Sequence, residues 1–294
     1  MKQSLLLLLL LGCLFSSCEK AINFKLNATD ASLVVEATIE NGQPPVVILS
    51  SSFDYFSAIS ADILANSFVH NAVITVSNGV KTHQLREYFY NTQANIKVYY
   101  YSIDSSNLAT AFAGAFNTAY SMTIQVNGKT YTAVTTIPPL AKKIDSLWWK
   151  KAPNNPDTTK VVLVAKATDP PGYGNYIRYF TKVNSDPFFP GLNSVFDDQI
   201  VDGTSYIVDV ERGVDRNTKI DRENYSFFNR GDTITLKFAN IDKACFDFWR
   251  TMEYSYGSIG NPFASPTKVL SNINGALGYF GGYAAQYTTI IVPK

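Results

Sequence analysis

Alternating apolar and polar residues predict β-strands along most of the chain. The first run covers residues 33–40, with apolar positions at Leu33, Val35, Ala37 and Ile39. Side chains two residues apart on a strand share one face of the sheet, so this pattern indicates a strand with one buried face. Two later pairs of β-rich runs are joined by Asn78-Gly79 and Asn127-Gly128. Asn-Gly is a strong hairpin signal because both residues tolerate the positive φ of a type I′ turn.

The spacing of these runs predicts an N-terminal β-sandwich domain over residues 31–137. About seven short strands at such spacing are typical of an antiparallel, immunoglobulin-like sandwich rather than of a βαβ sheet. Residues 59–68 and 105–116 interrupt the pattern. We expect them to be loops or a helical turn.

A second β-rich domain is predicted over residues 146–294. It follows a linker at 138–145, where Pro138-Pro139 cannot donate hydrogen bonds to a sheet. A helical stripe late in this domain predicts one helix from Asp242, as its N-cap, to Gly257. Two long segments rich in Phe and Tyr, 182–199 and 257–282, read as loops, so we predict a final strand only over 284–293.

The N-terminus reads as the signal peptide of a bacterial lipoprotein. The apolar run from Leu5 to Phe15 is too short for a transmembrane helix, which needs roughly 20 apolar residues. It fits the apolar core of a signal peptide and ends in Ser16-Ser17-Cys18, a lipobox pattern. We predict removal of residues 1–17, lipidation of Cys18 and a tether at 18–30. Lipidation at Cys13 and an ordinary secretory peptide are the alternatives.

Charge and cysteine content narrow the classes of partner. Removing residues 1–17 leaves 24 basic and 24 acidic side chains, which gives no long-range attraction for nucleic acid or an anionic bilayer. Membrane attachment would then depend on the lipid. Cys245 is the only other cysteine of the mature chain, so no intrachain disulfide is expected and the fold depends on its apolar core.

Several blocks of the sequence resemble one family. They are CEKAINF (18–24), VVEATIENGQPPVVILS (34–50) and NPFASPTKVLSNINGALGYFGGY (261–283). The chain resembles a family of Bacteroidota outer-membrane lipoproteins that carry a domain of unknown function. Members are typically encoded beside TonB-dependent receptors. The resemblance therefore implies a receptor-associated accessory protein, and it implies no catalytic residues.

The residue patterns do not predict an enzyme, a cofactor or a metal site. His70 and His83 lie in no metal-binding spacing. The segment 215–224 starts like a calcium loop with Asp215 and Asn217, but Lys219 and Ile220 stand where an oxygen ligand and a glycine are needed. A solvated loop is the better interpretation.

Carboxylate pairs leave a hydrolase as the less favoured hypothesis. Glycosidic bond cleavage uses two carboxyl groups flanking the bond. Asp197-Asp198 point to opposite faces if they lie on a strand, whereas Asp209 and Glu211 would share one. Arg212 nearby indicates ordinary ion pairing.

Clustered aromatic residues predict an interface or ligand site, because aromatic rings supply contact area. In VYYYS (98–102) alternate rings must face outward. Glycines let a backbone approach a partner closely. The candidate residues are Trp148, Trp149, Gly278, Tyr279, Phe280, Gly281 and Tyr283.

Three short motifs of the Asp-Ser/Thr type predict O-glycosylation at Ser146, Thr158 and Thr233. Taken together, the sequence predicts a non-enzymatic, lipid-anchored outer-membrane accessory of a TonB-dependent receptor. It would act in nutrient uptake by protein contact, substrate capture or both. The alternative is a free-standing surface lipoprotein that binds a glycan or a peptide.

Overall fold

The computed structural model describes residues 31–53, 61–92, 96–259, 261, 263–265 and 267–294. The predicted signal peptide, the lipidation site at Cys18 and the tether at 18–30 lie outside these residues. The prediction of a mostly β protein with one helix late in the chain is confirmed. Residues 31–294 form one compact unit.

The first half of the chain forms seven strands over residues 33–137, as its spacing predicts. They are β1 (Leu33–Glu40), β2 (Val46–Ser51), β3 (Val73–Ser77), β4 (Thr82–Asn91), β5 (Lys97–Ile103), β6 (Thr118–Val126) and β7 (Lys129–Ile137). The two interrupting segments contain a short helix α1 (Ala61–Ala65) and a 3-10 turn (Leu108–Thr110). Both Asn-Gly hairpins are present, joining β3 to β4 and β6 to β7. Asn127 and Gly128 have φ values of 51° and 72°.

The second half forms nine more strands and the predicted helix. The strands are β8 (Lys143–Lys151), β9 (Lys160–Thr168), β10 (Tyr176–Val183), β11 (Phe189–Phe196), β12 (Ser205–Val210), β13 (Phe228–Asn229), β14 (Thr233–Ile241), β15 (Ile273–Asn274) and β16 (Leu277–Ile291). Helix α2 spans Lys243–Ser258, and the side chain of Asp242 caps it by accepting from the Cys245 amide at 2.8 Å.

Three strands lie partly or wholly where the sequence predicts loops: β11, the two-residue β15 and the start of β16. β11 contains Pro190 and Gly191, and it ends a sheet, where a missing N–H donor is tolerated. β16 begins at Leu277 rather than at 284, within a glycine-rich segment. The glycines are needed there: Gly278 has φ 103°, and a Cβ on it would lie 1.9 Å from the carbonyl oxygen of Val35 on β1.

The long strand β16 joins both halves of the chain into one mixed sheet. Its first part pairs with β1 in parallel, and its second part pairs with β14 antiparallel. Tyr283 lies at the change, opposite Glu40 on one side and Ile241 on the other. The resulting sheet has 12 strands in the order β11-β10-β14-β16-β1-β2-β5-β4-β3-β6-β7-β15. Strands from both predicted domains therefore share this sheet.

Three main apolar cores fill the molecule. Strands β1–β7, with β15 and the first part of β16, surround the first core, which includes Tyr120 and Phe280. A second, four-stranded sheet of β8, β9, β12 and β13 packs its apolar face over β10 and β14 to form the second core. Helix α2 covers the opposite face of β14 and β16, forming the third core. The second core is the one that opens to the surface.

Candidate functional site

A mostly apolar cleft opens at the edge of the second core, between β11 and β12. Its volume is about 710 Å³. Ligand sites are typically concave, largely apolar and of this size, with a few polar groups placed among the apolar ones. We refer to it as the apolar cleft. It is lined by Ile144, Ala165, Ala167, Ile177, Tyr179, Asn193, Val195, Phe196, Asp197, Ile200, Val201, Tyr206, Ile207, Val208, Asp209, Val210, Glu211, Leu236, Phe238, Phe246 and Arg250.

The cleft exists because both sheets end at this side of the molecule. β12 pairs with β9, and the last residues of β11 pair with β10; neither has a second strand partner among the residues that the structure describes. Apolar side chains are correspondingly exposed at the opening, with Ile207 65% and Phe196 47% exposed. An open strand edge presents unpaired backbone N–H and C=O groups. The opening therefore combines apolar surface with backbone hydrogen-bonding groups.

Charged groups lie at the rim of the apolar cleft. The structure brings together Asp197, Asp209 and Glu211, which are three of the carboxylates considered for hydrolysis. All three have partners: Asp209 accepts from Lys150 Nζ at 2.7 Å, Glu211 from the Tyr225 hydroxyl at 3.2 Å and Asp197 from the Gln199 amide at 3.4 Å. The fourth candidate, Asp198, is buried and accepts from the backbone amide of Asn175 at 2.8 Å.

Two tyrosines of the cleft remain neutral across the physiological pH range. Burial, with the nearby Glu211 carboxylate as a smaller cause, raises the pKa of Tyr179 far above its ordinary value. Burial and then Asp169 raise the pKa of Tyr206 to about 12. Both hydroxyls therefore act as hydrogen-bond donors or acceptors and not as bases.

A second, more polar cleft of about 830 Å³ lies by the start of β11 and the 212–225 loop. It contains the segment that resembles the start of a calcium loop. There Asp215 Oδ1 accepts from the Asn217 amide at 2.9 Å, and the Asp215 carbonyl accepts from the Thr218 hydroxyl at 2.9 Å. These are bonds of a loop to itself, as the interpretation of this segment as a solvated loop predicts.

The two histidines do not converge on a site. His70 bonds through Nδ1 to the Glu87 carboxylate near the surface. His83 is 1% exposed; its Nδ1 lies 2.8 Å from the Thr110 hydroxyl and its Nε2 accepts from the Asp104 amide at 2.9 Å. Burial lowers the pKa of His83, partly offset by Asp104. His83 is thus a neutral, structural histidine.

The aromatic block near the C-terminus corrects one sequence prediction. Tyr279, Phe280 and Tyr283 were expected in an exposed contact loop, but they are 4%, 0% and 3% exposed on β16. Gly278 and Gly281 serve packing on the same strand: a Cβ on Gly281 would lie 2.9 Å from the Cys245 sulfur of helix α2. A strand that crosses two cores buries both of its faces, so the three aromatic residues and Gly281 present no surface to a partner, and Gly278 is half-buried.

Trp148 and Trp149 lie half-buried on β8, with opposite side-chain directions. Trp148 packs on a small cluster that includes Ala152 and Val162, whereas Trp149 packs on the second core. The Arg230 guanidinium lies 5.0 Å from the centre of the Trp149 ring. Both rings keep part of their surface exposed and stay candidates for a contact.

The three predicted glycosylation residues, Ser146, Thr158 and Thr233, are all exposed. The aspartates before them have structural roles. Asp145 accepts from the Thr168 hydroxyl at 2.6 Å, and Asp157 accepts from the Thr159 amide at 2.9 Å. Modification of these hydroxyl groups stays a prediction.

A buried polar network lies under helix α2, and no sequence pattern predicts it. Arg178 Nε donates to the Ser194 hydroxyl at 3.1 Å, and the Ser194 amide donates to the Glu253 carboxylate at 2.9 Å. The Arg178 guanidinium also lies 3.4 Å from the ring centre of Trp249. The network fixes the helix to β10 and β11 and so holds one wall of the apolar cleft. Arg178 lies on β10 and Glu253 on helix α2, far apart in the chain, so no local sequence pattern signals their partnership.

Within the described residues, no helix combines the length and the apolar character needed to cross a membrane. A comparison with curated proteins finds no match to this chain. A family described as a domain of unknown function, DUF4249, matches residues 19–289, nearly the whole chain. The chain therefore belongs to the DUF4249 family.

Proposed function

We propose that this protein is a lipid-anchored binding protein of the bacterial outer membrane that captures an extended peptide segment in the apolar cleft. It would serve as an accessory to a TonB-dependent receptor in nutrient uptake. The anchoring and the receptor association rest on the lipobox before Cys18 and on the family resemblance. The mode of capture rests on the cleft.

The observation that carries the proposal is an apolar opening bounded by two strand edges. An extended peptide can add to a free edge through main-chain hydrogen bonds, while alternate side chains enter the groove. The rim residues Phe196 and Ile207 would contact such a peptide first. The carboxylates at the rim favour a peptide that also carries a basic residue.

The same geometry favours binding over hydrolysis. A pair of catalytic carboxyl groups must be free to exchange protons with the substrate. Asp209 is engaged by Lys150, and Glu211 is engaged by Tyr225. The rim carboxylates therefore serve charge complementarity in this proposal.

A second candidate, glycan binding, is supported by one specific surface. On the β4–β5 hairpin, the ring of Tyr100 lies between those of Tyr88 and Tyr90, with centroid distances of 5.8 and 6.0 Å. Tyr90 is 52% exposed. Rows of tyrosine rings can stack on the apolar faces of sugars.

The first experiment is recovery of tagged, full-length protein from detergent-solubilised outer membranes, with mass spectrometry of accompanying proteins. We expect a TonB-dependent receptor in stoichiometric amount, and the lipid on Cys18 in the intact mass. Elution of the protein alone contradicts the accessory role. An unlipidated mass contradicts the anchor.

The second experiment separates the two ligand classes. Purified protein is screened against a random peptide library and an oligosaccharide array. Ile207→Asp should abolish peptide binding, whereas Val80→Asp, at a 91% exposed position on the β3–β4 turn, should not. Loss of sugar binding in Tyr100→Ala, with Phe89→Ala on the other hairpin face as control, would instead support the glycan hypothesis.

A further inference from the structure

Three carboxylates from two loops lie together beside the apolar cleft. Asp169 follows β9, and Asp198 and Asp202 belong to the loop between β11 and β12. One oxygen of each carboxylate lies within 4.8 Å of one oxygen of each of the others. No sequence motif links these residues, because the pairing of β9 with β12 brings the two loops together.

The cluster around Asp169 holds more negative than positive charge. Its side chain is 0% exposed, and its Oδ2 has no hydrogen-bond partner in the described part of the chain. Lys142 Nζ lies 2.9 Å from Oδ1 and is itself buried. Three carboxylates and one ammonium leave a formal charge of −2 in a largely buried cluster. Buried charge of this kind is unfavourable unless a counter-charge compensates it.

Asp198 and Asp202 each use one carboxylate oxygen to hold the chain and keep the other without a donor in the part of the chain that the structure describes. One oxygen of Asp198 is held by the Asn175 amide at 2.8 Å, and one oxygen of Asp202 by the Gly172 amide at 2.7 Å. Among the described residues, nothing donates to the second oxygen of either carboxylate. The loop is also closed internally, since the amide of Asp202 donates to the Asp198 carbonyl at 2.9 Å.

We propose that Asp169, Asp198 and Asp202 bind one calcium ion. An all-oxygen set of carboxylates selects a hard divalent cation. Calcium takes roughly six to eight oxygen ligands in a flexible geometry, whereas magnesium keeps several waters and usually takes only one or two carboxylates from a protein. Three carboxylate oxygens that all lie within 4.8 Å of one another can contact one ion together, and a site with three carboxylates favours calcium. The charge of the ion equals the uncompensated charge of the cluster.

The ion would also hold the rim of the apolar cleft. The loop that carries Asp198 and Asp202 supplies Asp197, Ile200 and Val201 to the cleft lining. Calcium would thus fix the position of that wall. This consequence for capture, unlike the metal site itself, rests on the proposed function.

The test is a calorimetric titration of calcium chloride into chelator-treated mature protein, with no peptide present. We expect one ion bound per chain and a calcium-dependent rise in Tm. Terbium should replace calcium and show emission sensitised by nearby tyrosine, since Tyr206 packs near Lys142. Asp202→Asn keeps the shape of the half-buried side chain and should weaken binding by at least about tenfold. Asp215→Asn, in the other aspartate-rich loop, is the matched control and should bind like wild type.

The proposed site would be overturned if the wild-type protein bound no calcium. Equal calcium affinity of the wild type, Asp202→Asn and a second variant, Asp198→Asn, would overturn it as well. Tighter binding of magnesium than of calcium would overturn the assignment of the ion. Because the titration contains no peptide, it can succeed if peptide capture fails. A circular dichroism spectrum like that of the wild type shows that each variant is folded, so that its calcium affinity can be compared with that of the wild type.

Discussion

Gly282 provides a direct test of how β16 crosses from one half of the molecule to the other. A Cβ added there would lie 2.4 Å from the carbonyl oxygen of Thr136 and 2.7 Å from the amide nitrogen of Ile137, both on β7. The Gly282 amide also donates to the Thr135 hydroxyl at 2.8 Å. Backbone atoms of a paired strand cannot rotate away as a side chain can. Gly282→Ala must therefore separate β16 from β7.

The expected cost follows from two contributions. Overpacking a well-packed interior costs about 1–3 kcal/mol, and loss of the buried hydrogen bond costs about 1 kcal/mol more. We therefore expect Gly282→Ala to lower the free energy of unfolding by about 2–4 kcal/mol. For a chain of this size, that corresponds to a fall in Tm on the order of 10 °C. Urea unfolding followed by tryptophan fluorescence and circular dichroism measures the change.

Gly257→Ala is the matched control, and we expect it to change the free energy of unfolding in the opposite direction. Gly257 lies in helix α2, and no atom lies within 4 Å of the position of an added Cβ. Alanine has the higher helix propensity, so this variant should gain up to about 1 kcal/mol. Equal stability of Gly282→Ala and wild type, together with a stabilised Gly257→Ala, would refute the close approach of β16 to β7.

Three further predictions concern buried polar groups. Because burial lowers the pKa of His83, the folded state binds its proton less readily than the unfolded chain. The free energy of unfolding should therefore fall as pH decreases below about 6.5, by up to about 1.4 kcal/mol per pH unit. His83→Gln should lose this slope in urea titrations and His70→Gln should keep it; a flat wild-type profile contradicts the argument. Asp242→Ala removes the cap of helix α2 and an acceptor for β7, so chemical denaturation should show a loss of about 2–4 kcal/mol. A loss of stability no larger than that caused by replacing an exposed aspartate would disprove the link that Asp242 forms between helix α2 and β7. In calcium-free buffer, Lys142→Met should cost about 3–5 kcal/mol by leaving Asp169 uncompensated. The double variant Lys142→Met/Asp169→Leu should recover most of this loss in the same assay, and no recovery would count against the buried pair.

Local sequence patterns correctly predicted the elements whose structure depends on neighbouring residues. The alternation of β1 gives a strand whose odd-numbered positions from Leu33 to Ile39 are all buried. The Asn127-Gly128 turn and the capping of α2 by Asp242 follow from the side chains of a few consecutive residues. These features need no information from distant parts of the chain.

The candidate site could be predicted only in part from such local patterns. Asp209 and Glu211 could be identified as carboxylates two residues apart, and the structure brings them to the apolar cleft with Asp197, although Glu211 lies just past the end of β12. The lining of the cleft comes from strands far apart in the chain, and the cleft itself exists only because β11 and β12 end their sheets. Tyr279 and its neighbours were predicted to be surface residues because aromatic and glycine residues without alternation resemble a loop.

Patterns in the amino-acid sequence were enough to predict the β class, most strands, the hairpins and the single late helix. Tertiary structure alone decided that β16 pairs in parallel with β1, that its aromatic residues are buried, and that Asp169 meets Asp198 and Asp202. The physical reason is the range of the interactions. Turn conformation, capping and strand alternation are set within a few residues, whereas strand order, burial and charge clusters depend on pairing between segments far apart in the chain.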